Sequence, residues 1–340
     1  MNILVTGGAG FIGSHLVDYL TENGAEVYAI DDLSTGRREN VAHLLAHPRF
    51  HLVTESCLQE AVMNELIHRV DQVYHLAAVV GVRLVVESPV RTLEVNLKST
   101  ELVFKLAHQF NKKVLMASTS EVYGRHAANN PLKESDDRVY GPTTVGRWSY
   151  AGAKAIDEFL ALAYHRERGL DVVVARFFNT VGPRQTGEYG MVIPRFVQAA
   201  LAGDPIVVYG DGEQSRSFTY VGDAVWAVTH LMQCPSAVGE VFNIGNGQEV
   251  TINALAQRVK ELANSRSEIR HVGYEEVYGK QFEDMAFRTP DISKLATFTG
   301  YEPTVDLDGI LKRVILFEEE QMRIRDKEHG ARRSVRGSAA

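Results

Sequence analysis

Two residues suited to proton transfer stand four positions apart near the middle of the chain. Tyr150 and Lys154 open the helical pattern SYAGAKAIDEFLALAY, and their spacing puts both side chains on one helix face. A lysine ammonium beside a phenol favours the phenolate, so we expect the pKa of Tyr150 to fall toward the range of a general base. Such a pair would take the proton from an alcohol while the alcohol carbon loses hydride to a nicotinamide. Many helices carry a Tyr and a Lys at this spacing by chance, so the assignment needs a cofactor site.

The N-terminal segment ILVTGGAGFIG predicts that cofactor site. Its glycines lie between a strand pattern and a helix expected to begin near Ser14. A dinucleotide site needs glycine here because the backbone must turn tightly and approach a pyrophosphate closely, while the helix N-terminus favours the anion. The predicted contacts in this turn are Gly7, Gly10, Phe11, Ile12 and Gly13.

An acidic pair follows the second predicted strand, eighteen residues after Gly13. Asp31, with Asp32 beside it, can accept hydrogen bonds from the hydroxyls of an adenosine ribose. A carboxylate at this place disfavours a 2'-phosphate, so the predicted cofactor is NAD rather than NADP. The alternative is that both aspartates merely open a turn.

A third polar cluster follows the strand pattern VLMAS. Thr119, Ser120 and Glu121 come at the carboxyl end of this strand, where open parallel sheets bind ligands. Thr119 could hydrogen-bond the reacting hydroxyl, and Ser120 and Glu121 could act near C5 and C6 of a sugar. A hydrogen-bonding turn is the alternative interpretation.

Short β-branched runs alternate with longer helical patterns and predict the framework that positions these residues. Several runs are apolar at consecutive positions, as expected of strands covered on both faces. The sequence therefore predicts an α/β protein with a Rossmann-type, doubly wound parallel sheet. The predicted strands are Ile3 to Thr6, Val27 to Ile30, His51 to Val53, Val73 to Leu76, Val114 to Ala117 and Val172 to Arg176.

The pattern loosens after about residue 180, where Gly and Pro become frequent. We predict a NAD-binding domain over 1–180 to which some later segments return, and a smaller C-terminal α/β part over 181–323 that binds substrate. Residues 324–340 are polar and basic, and we expect them to form a disordered tail.

Composition excludes several classes of protein. The net charge of −7 gives no basic surface for nucleic acid, and no apolar run is long enough to span a membrane. The N-terminus shows no signal peptide, so we expect a cytoplasmic protein. Cys57 and Cys234 are the only cysteines, which predicts no disulfide framework and no metal site.

Several motifs together resemble the extended short-chain dehydrogenase/reductase family, in its group of nucleotide-sugar epimerases, dehydratases and decarboxylases. The resemblance covers roughly residues 1 to 320. Relatives often carry an acidic and an aliphatic residue where this chain has Ser56 and Cys57, so adenine contacts there are doubtful. The matching stretches are TGGAGFIGSH, YHLAA (74–78), STSEVYG, the Tyr150/Lys154 pair, FFNTVGPR (177–184), YGDGEQSRSFTYVGD (209–223) and RTPDISK (288–294).

The resemblance implies roles for individual residues. Thr119, Tyr150 and Lys154 would form the catalytic set, with Lys154 also holding the nicotinamide ribose, and Ala77 and Ala78 would line the NAD. Paired guanidinium groups suit a diphosphate, although an ordinary ion pair would otherwise be expected of either Arg216 or Arg288. The implied nucleotide-sugar contacts are Asn179, Arg184, Tyr209, Arg216 and Arg288. Relatives pair through two helices into a homodimer, and the patterns Thr92 to Gln109 and Ala153 to Arg168 could serve.

The resemblance also implies a 4-keto sugar intermediate, after which three reactions are open: 4-epimerisation, loss of water, and loss of carbon dioxide from a hexuronate. Glu121 favours chemistry at C5 or C6, while Ser120 stands where 4,6-dehydratases for dTDP-glucose carry Asp. The stretch RWSYAGAK (147–154) resembles UDP-apiose/xylose synthases and a bacterial decarboxylase. We therefore favour a UDP-glucuronate decarboxylase, with Arg288 or Arg184 near the sugar carboxylate. The alternatives are a UDP-sugar 4-epimerase, a 4,6-dehydratase and a non-catalytic NAD or nucleotide-sugar sensor.

Overall fold

The computed structural model describes residues 1–81, 88–125, 130–187, 191–278 and 288–337, with backbone alone for 328–337. The strands are β1 (Asn2–Thr6), β2 (Glu26–Ile30), β3 (Phe50–Val53), β4 (Gln72–His75), β5 (Lys113–Thr119), β6 (Val172–Phe177), β7 (Thr180–Val181), β8 (Ile206–Tyr209), β9 (Ser215–Ser217), β10 (Thr219–Tyr220), β11 (Val241–Ile244), β12 (Glu249–Thr251) and β13 (Ile269–Val272). The helices are α1 (Phe11–Glu22), α2 (Glu60–Arg69), α3 (Pro89–Gln109), α4 (Ser149–Arg168), α5 (Val192–Ala202), α6 (Val221–Gln233), α7 (Ile252–Leu262), α8 (Tyr274–Tyr278), α9 (Ser293–Thr299) and α10 (Leu307–Gly337).

The principal sheet has seven strands in the order β11-β6-β5-β4-β1-β2-β3, and all pairings are parallel. This arrangement confirms the predicted Rossmann-type, doubly wound sheet. The strand order reverses between β1 and β4, where the chain turns from one half of the sheet to the other. The crevice at the carboxyl ends of these two strands is where such folds bind ligands.

The sheet is covered on both faces, and alternate residues of its strands point to opposite sides. In β1, Ile3 and Val5 enter one core with side chains of α1 and α6. Leu4 enters the other core with side chains of α2, α3 and α4. Burial on both faces explains why the strand sequences are nearly continuous apolar runs.

The six predicted strands are confirmed to within two residues, and the seventh, β11, lies far along the chain. It pairs with β6, with Val241 opposite Val174. Helix α6 and helix α9 also return to the first core, through Val228, Leu231 and Leu295 among others. Helix α1 begins at Phe11, three residues before the predicted start at Ser14.

A third core holds the smaller C-terminal part together. It joins α5, β8, α7 and α10 through buried side chains that include Phe196, Ile206, Leu255 and Leu311. Two-stranded pairings, β13 with β8 and β12 with β9, complete this part. The small α/β part predicted after residue 180 is thus present alongside the large sheet.

The chain end differs from the predicted disordered tail over 324–340. The backbone of α10 continues through that segment to Gly337. Residues 324–337 include four Arg, which are good helix formers, and no Pro, so they can extend the helix that the buried Ile310 and Leu311 anchor. No helix among the described residues is both long and apolar enough to cross a membrane.

A buried carboxylate, Glu158, joins helix α4 to strands β5 and β6. The Arg176 guanidinium donates to both of its oxygens, from Nε at 2.8 Å and from Nη2 at 2.7 Å. Ser118 donates to it at 2.5 Å and Arg138 at 2.6 Å. Burial alone would raise the pKa of Glu158, but Arg176, Ser118 and Arg138 outweigh burial and hold this pKa below its ordinary value. These contacts fix α4, which carries Tyr150 and Lys154, against the strand that carries Thr119.

We expect Arg176→Met to lower the free energy of unfolding by about 3 to 5 kcal/mol, because it leaves a buried charge without its main partner. Urea denaturation measures this loss. Arg69→Met is the matched control, since Arg69 of α2 is 55% exposed and pairs with Glu65 on the surface. The control should change stability little.

The deficit should depend on pH. The folded-state pKa of Glu158 is lowered, so its ion pairs stabilise the protein fully above the unfolded value of about 4.3 and lose this effect as pH falls through the folded value. The gap between Arg176→Met and the wild type should therefore narrow below about pH 4. An equal deficit in acid and at neutral pH would contradict this assignment.

Candidate active site

The carboxyl ends of β1 and β4 form one wall of the candidate site. The glycine-rich turn follows β1, and Ala77 and Ala78 follow β4. A Cβ atom added to Gly7 would lie 3.0 Å from the Ala77 backbone nitrogen, so the two segments are in direct contact. The predicted cofactor residues of both segments therefore meet at the reversal point of the sheet.

The glycine-rich turn has the shape that a pyrophosphate needs. Gly7 has a φ of +70°, and a Cβ on Gly13 would lie 2.0 Å from the Gly7 carbonyl oxygen. Gly10 precedes the first residue of α1 without a capping side chain, and the first turn of α1 carries no acidic residue. The helix N-terminus therefore offers backbone N–H groups and a positive dipole end to an anion. Phe11 and Ile12, which begin the helix, lie at the same end.

Asp31 directly follows β2 and is almost completely buried. Its carboxylate accepts hydrogen bonds from the Ala9 backbone N–H at 3.0 Å and the Leu33 N–H at 2.9 Å. Burial raises the pKa of Asp31, and these two amides oppose the rise. Asp32 accepts from the Ser34 N–H at 2.9 Å, as in an ordinary turn. Asp31 thus both supports the glycine-rich turn and stands where the ribose contact is predicted.

Tyr150 is buried and points toward β5, where its phenol shares a hydrogen bond with the Thr119 side chain. Burial raises the pKa of Tyr150, and the charge of Glu121 raises it further. With the groups of the protein alone, the pKa of Tyr150 is therefore raised, not lowered by Lys154 as predicted. The main reason is burial, and the charges of Glu121 and Asp157 add to its effect.

Lys154 is held by an acidic residue that the sequence analysis did not single out. Its Nζ lies 3.3 Å from Asp157 Oδ2, and the two side chains are only 2% and 1% exposed. Burial raises the pKa of Asp157, with the Lys154 ammonium and Thr100 opposing the rise. The lysine is thus fixed within the protein interior, on the same helix face as Tyr150.

Glu121 lies between two arginines. Arg147 Nη1 donates to its Oε2 at 2.5 Å, and Arg288 Nη1 donates to its Oε1 at 3.4 Å. Burial would raise the pKa of Glu121, but the two guanidinium groups outweigh burial and hold the pKa below its ordinary value. The cluster therefore places an ionised carboxylate and two guanidinium groups beside Tyr150. Ser120, its neighbour, is almost completely buried.

The predicted substrate residues fall into two groups. Arg288 Nη2 donates to Asn179 Oδ1, and Asn179 Nδ2 donates to the Ser217 carbonyl at 2.8 Å, next to Arg216 in β9. Arg288, Asn179 and Arg216 are thus brought to one region beside Glu121.

Two other predicted residues have different surroundings. Arg184 pairs with Asp18 of α1 at 2.7 Å, so Arg288 rather than Arg184 accompanies Glu121. Tyr209 stacks against Arg195, whose Cζ lies 3.8 Å from the centroid of the Tyr209 ring.

Arg147 is a site residue that the motif RWSYAGAK contained but that sequence reasoning gave no role. It is 4% exposed and lies in a short 3-10 turn directly before α4. The signal available in the sequence was its position three residues before Tyr150. Its partner could not be identified from sequence, because Glu121 lies 26 residues earlier.

Known proteins resemble this chain over nearly its whole length. Residues 3–245 match the NAD dependent epimerase/dehydratase family. The UDP-N-acetyl-alpha-D-glucosaminuronate decarboxylase of Bacillus cytotoxicus is 42% identical over 318 residues, which are 93% of this chain and 97% of that protein. UDP-glucuronic acid decarboxylase 1 of Arabidopsis thaliana is 39% identical over 318 residues, 93% of this chain and 69% of that protein. A structure of UDP-glucuronic acid 4-epimerase from Bacillus cereus with UDP-glucuronic acid and NAD superposes with a TM-score of 0.85 at 27% identity, covering 94% and 100% of the two chains.

We expect Gly13→Ala to weaken NAD binding by at least about tenfold, because the new methyl group would clash with the Gly7 carbonyl and distort the turn. Isothermal titration with NAD measures the change. Gly273→Ala is the control, since a Cβ at that exposed position meets no atom within 4 Å. Equal affinities for the two variants would show that the turn does not carry the dinucleotide.

Proposed function

The chain belongs to the NAD dependent epimerase/dehydratase family, and from that membership and the site we propose that it is a UDP-glucuronate decarboxylase. The cofactor is NAD, for which the glycine-rich turn, Asp31, Ala77 and Lys154 provide the contacts. The observation that carries the proposal is the Glu121–Arg147–Arg288 cluster beside the Tyr150 phenol.

The cluster suits a substrate with a carboxylate. Arg147 and Arg288 both contact Glu121, and planar guanidinium groups bind carboxylates through paired hydrogen bonds, so they suit the C6 carboxylate of a hexuronate. A neutral hexose offers these groups no carboxylate. The arrangement therefore favours a uronate over a glucose-type substrate.

The residues of the chain divide the chemistry between them. NAD, when bound, supplies a hydride acceptor for C4 and a positively charged ring that favours the phenolate. Tyr150 takes the proton of the C4 hydroxyl, which Thr119 orients, and Lys154 holds the nicotinamide ribose. Arg147 and Arg288 would hold the carboxylate while the C5–C6 bond breaks, its electrons forming an enolate with the C4 ketone as carbon dioxide leaves. A proton from solvent then adds to C5 and restores the ketone. The hydride that C4 gave up in the first step would reduce this ketone, while Tyr150 returns its proton to the C4 oxygen.

Glu121 distinguishes this reaction from the alternatives. Its lowered pKa means that it is ionised at neutral pH, so it orients groups near C5 rather than protonating a departing hydroxyl. Ser120 supplies no carboxylic acid for that dehydration either. A simple 4-epimerase moves no proton at C5 and has no need of this cluster. Two relatives described above, of 42% and 39% identity, are named as decarboxylases.

A second candidate is 4-epimerisation of a UDP-uronate, which the structural similarity to a UDP-glucuronic acid 4-epimerase favours. A uronate would satisfy the two arginines in that reaction as well. The two reactions differ in mass balance, because only decarboxylation loses carbon dioxide.

The test is to incubate the full-length chain and NAD with UDP-glucuronate, UDP-N-acetylglucosaminuronate or UDP-glucose, and to follow carbon dioxide release and product mass. We expect carbon dioxide and a UDP-pentose from UDP-glucuronate.

Tyr150→Phe should slow oxidation by about a hundredfold or more, because the proton acceptor is lost. Glu121→Gln should spare reduction of NAD yet slow carbon dioxide release about a hundredfold, since the arginines lose their countercharge.

Glu65→Gln, on the exposed face of α2, is the control for a lost carboxylate. Unchanged mass with a new stereoisomer would replace the decarboxylase by the epimerase, and loss of water would indicate a dehydratase. A chain that reduces no NAD with any nucleotide-sugar would be a sensor.

A cytosolic location remains a prediction of the sequence. We also propose a homodimer built on α3 and α4. Helix α4 presents two large apolar side chains to solvent, Ile156 at 55% exposure and Phe159 at 61%. Val90 of the neighbouring α3 is 69% exposed. A second copy of the same two helices would cover these side chains symmetrically.

Phe159→Glu should convert the dimer to a monomer, because it places a charge where an aromatic side chain would be buried. Sedimentation velocity at micromolar concentration measures the mass. Leu316→Glu is the control, since Leu316 is 65% exposed on α10, away from this face. The proposal is wrong if the wild type is monomeric or if Phe159→Glu remains a dimer.

A further inference from the structure

A buried polar chain begins at His75, the residue of the YHLAA motif that the proposed chemistry leaves without a role. His75 ends β4 and is 1% exposed. Its Nδ1 lies 2.8 Å from Thr6 Oγ1, and its Nε2 lies 3.3 Å from Thr100 Oγ1. Both threonines are completely buried, so the imidazole lies between two hydroxyl groups and away from water.

This series of hydrogen-bonded side chains reaches the predicted cofactor site at both of its ends. The Ala77 backbone N–H donates to Thr6 Oγ1 at 3.1 Å, beside the glycine-rich turn. At the other end the Thr100 hydroxyl faces Asp157 and lowers the pKa of that carboxylate. Asp157 in turn pairs with Lys154 at 3.3 Å.

The donors and acceptors define one direction along the chain. The Thr6 hydroxyl accepts from the Ala77 N–H, so its own proton is available to His75 Nδ1. The His75 proton is then on Nε2, facing Thr100 Oγ1. Burial, aided by the Lys154 charge, lowers the pKa of His75 to about 3, which keeps the ring neutral as this arrangement requires.

Asp157 depends on these polar side chains because its carboxylate has few other hydrogen-bond partners. Among the described residues, neither of its oxygens accepts a hydrogen bond of ordinary geometry, and burial raises its pKa. Its charge is therefore balanced by Lys154 and supported by the Thr100 hydroxyl. Loss of that hydroxyl would leave Asp157 free to reorient and to move the ammonium with it.

We propose that His75, Thr100 and Asp157 are positioning residues that hold the Lys154 ammonium for NAD and tie it to the glycine-rich turn. The inference rests on the proposed contact of Lys154 with the nicotinamide ribose, and it does not depend on which sugar is the substrate. These residues are almost completely buried, so we expect them to act through Lys154 and Ala77.

The test compares Thr100→Val, which keeps the shape of the side chain and removes the hydroxyl, with Thr100→Ser, which keeps the hydroxyl. We expect Thr100→Val to weaken NAD binding about tenfold and Thr100→Ser to stay within about twofold of the wild type. Isothermal titration of the full-length chain with NAD, without any nucleotide-sugar, gives the affinities. Thermal unfolding without NAD shows whether each variant is folded.

Nitrogen NMR of the histidines in the wild-type chain provides a second measurement that needs no variant. We expect a neutral His75 with its proton on Nε2 from about pH 5 to pH 8. A proton on Nδ1, a charged ring, wild-type NAD affinity in Thr100→Val, or equal weakening in Thr100→Ser would each overturn the proposal. Because no sugar is present, these results are separate from the fate of the decarboxylase assignment.

Discussion

Helix α4 meets the sheet through a buried carboxylate, Glu158, which bonds Ser118 of β5 and Arg176 of β6. The helix carries Tyr150, and the strand carries Thr119, so the contact between them sets the geometry of proton transfer. A buried ion pair adds little net stability compared with an apolar pair, but it admits few alternative packings. Position, rather than stability, is what this network contributes to the site.

The site balances charge in a way that single residues do not reveal. The phenol of Tyr150 is flanked by Glu121 and Asp157, and both carboxylates oppose its ionisation. Each carboxylate is matched by a cation, Arg147 for Glu121 and Lys154 for Asp157. The positive ring of NAD would add the charge that favours the phenolate. Base strength in this protein is therefore a property of the loaded site.

Local pattern predicted the sheet and the elements that carry the site. The six strands with continuous apolar runs, the glycine-rich turn and the Tyr150/Lys154 spacing are all written in short stretches of sequence. Strand β11 could not be found in this way, because its four residues join the sheet only through pairing with β6. The same limit applies to Arg147, Asp157 and His75, whose meaning comes from partners distant in the chain. The carboxylate of Asp31 orders a turn, and its contact with a ribose stays a prediction.

The late position of β11 and α6 affects how the protein can be made. A ribosome that has released the first 180 residues has delivered six of the seven strands, but β6 is still an open sheet edge. The apolar face that α6 will cover also stays open until about residue 233 has emerged. Folding of the cofactor domain therefore has to wait for most of the chain. A gene fragment that ends near residue 180 would yield an incomplete, aggregation-prone sheet.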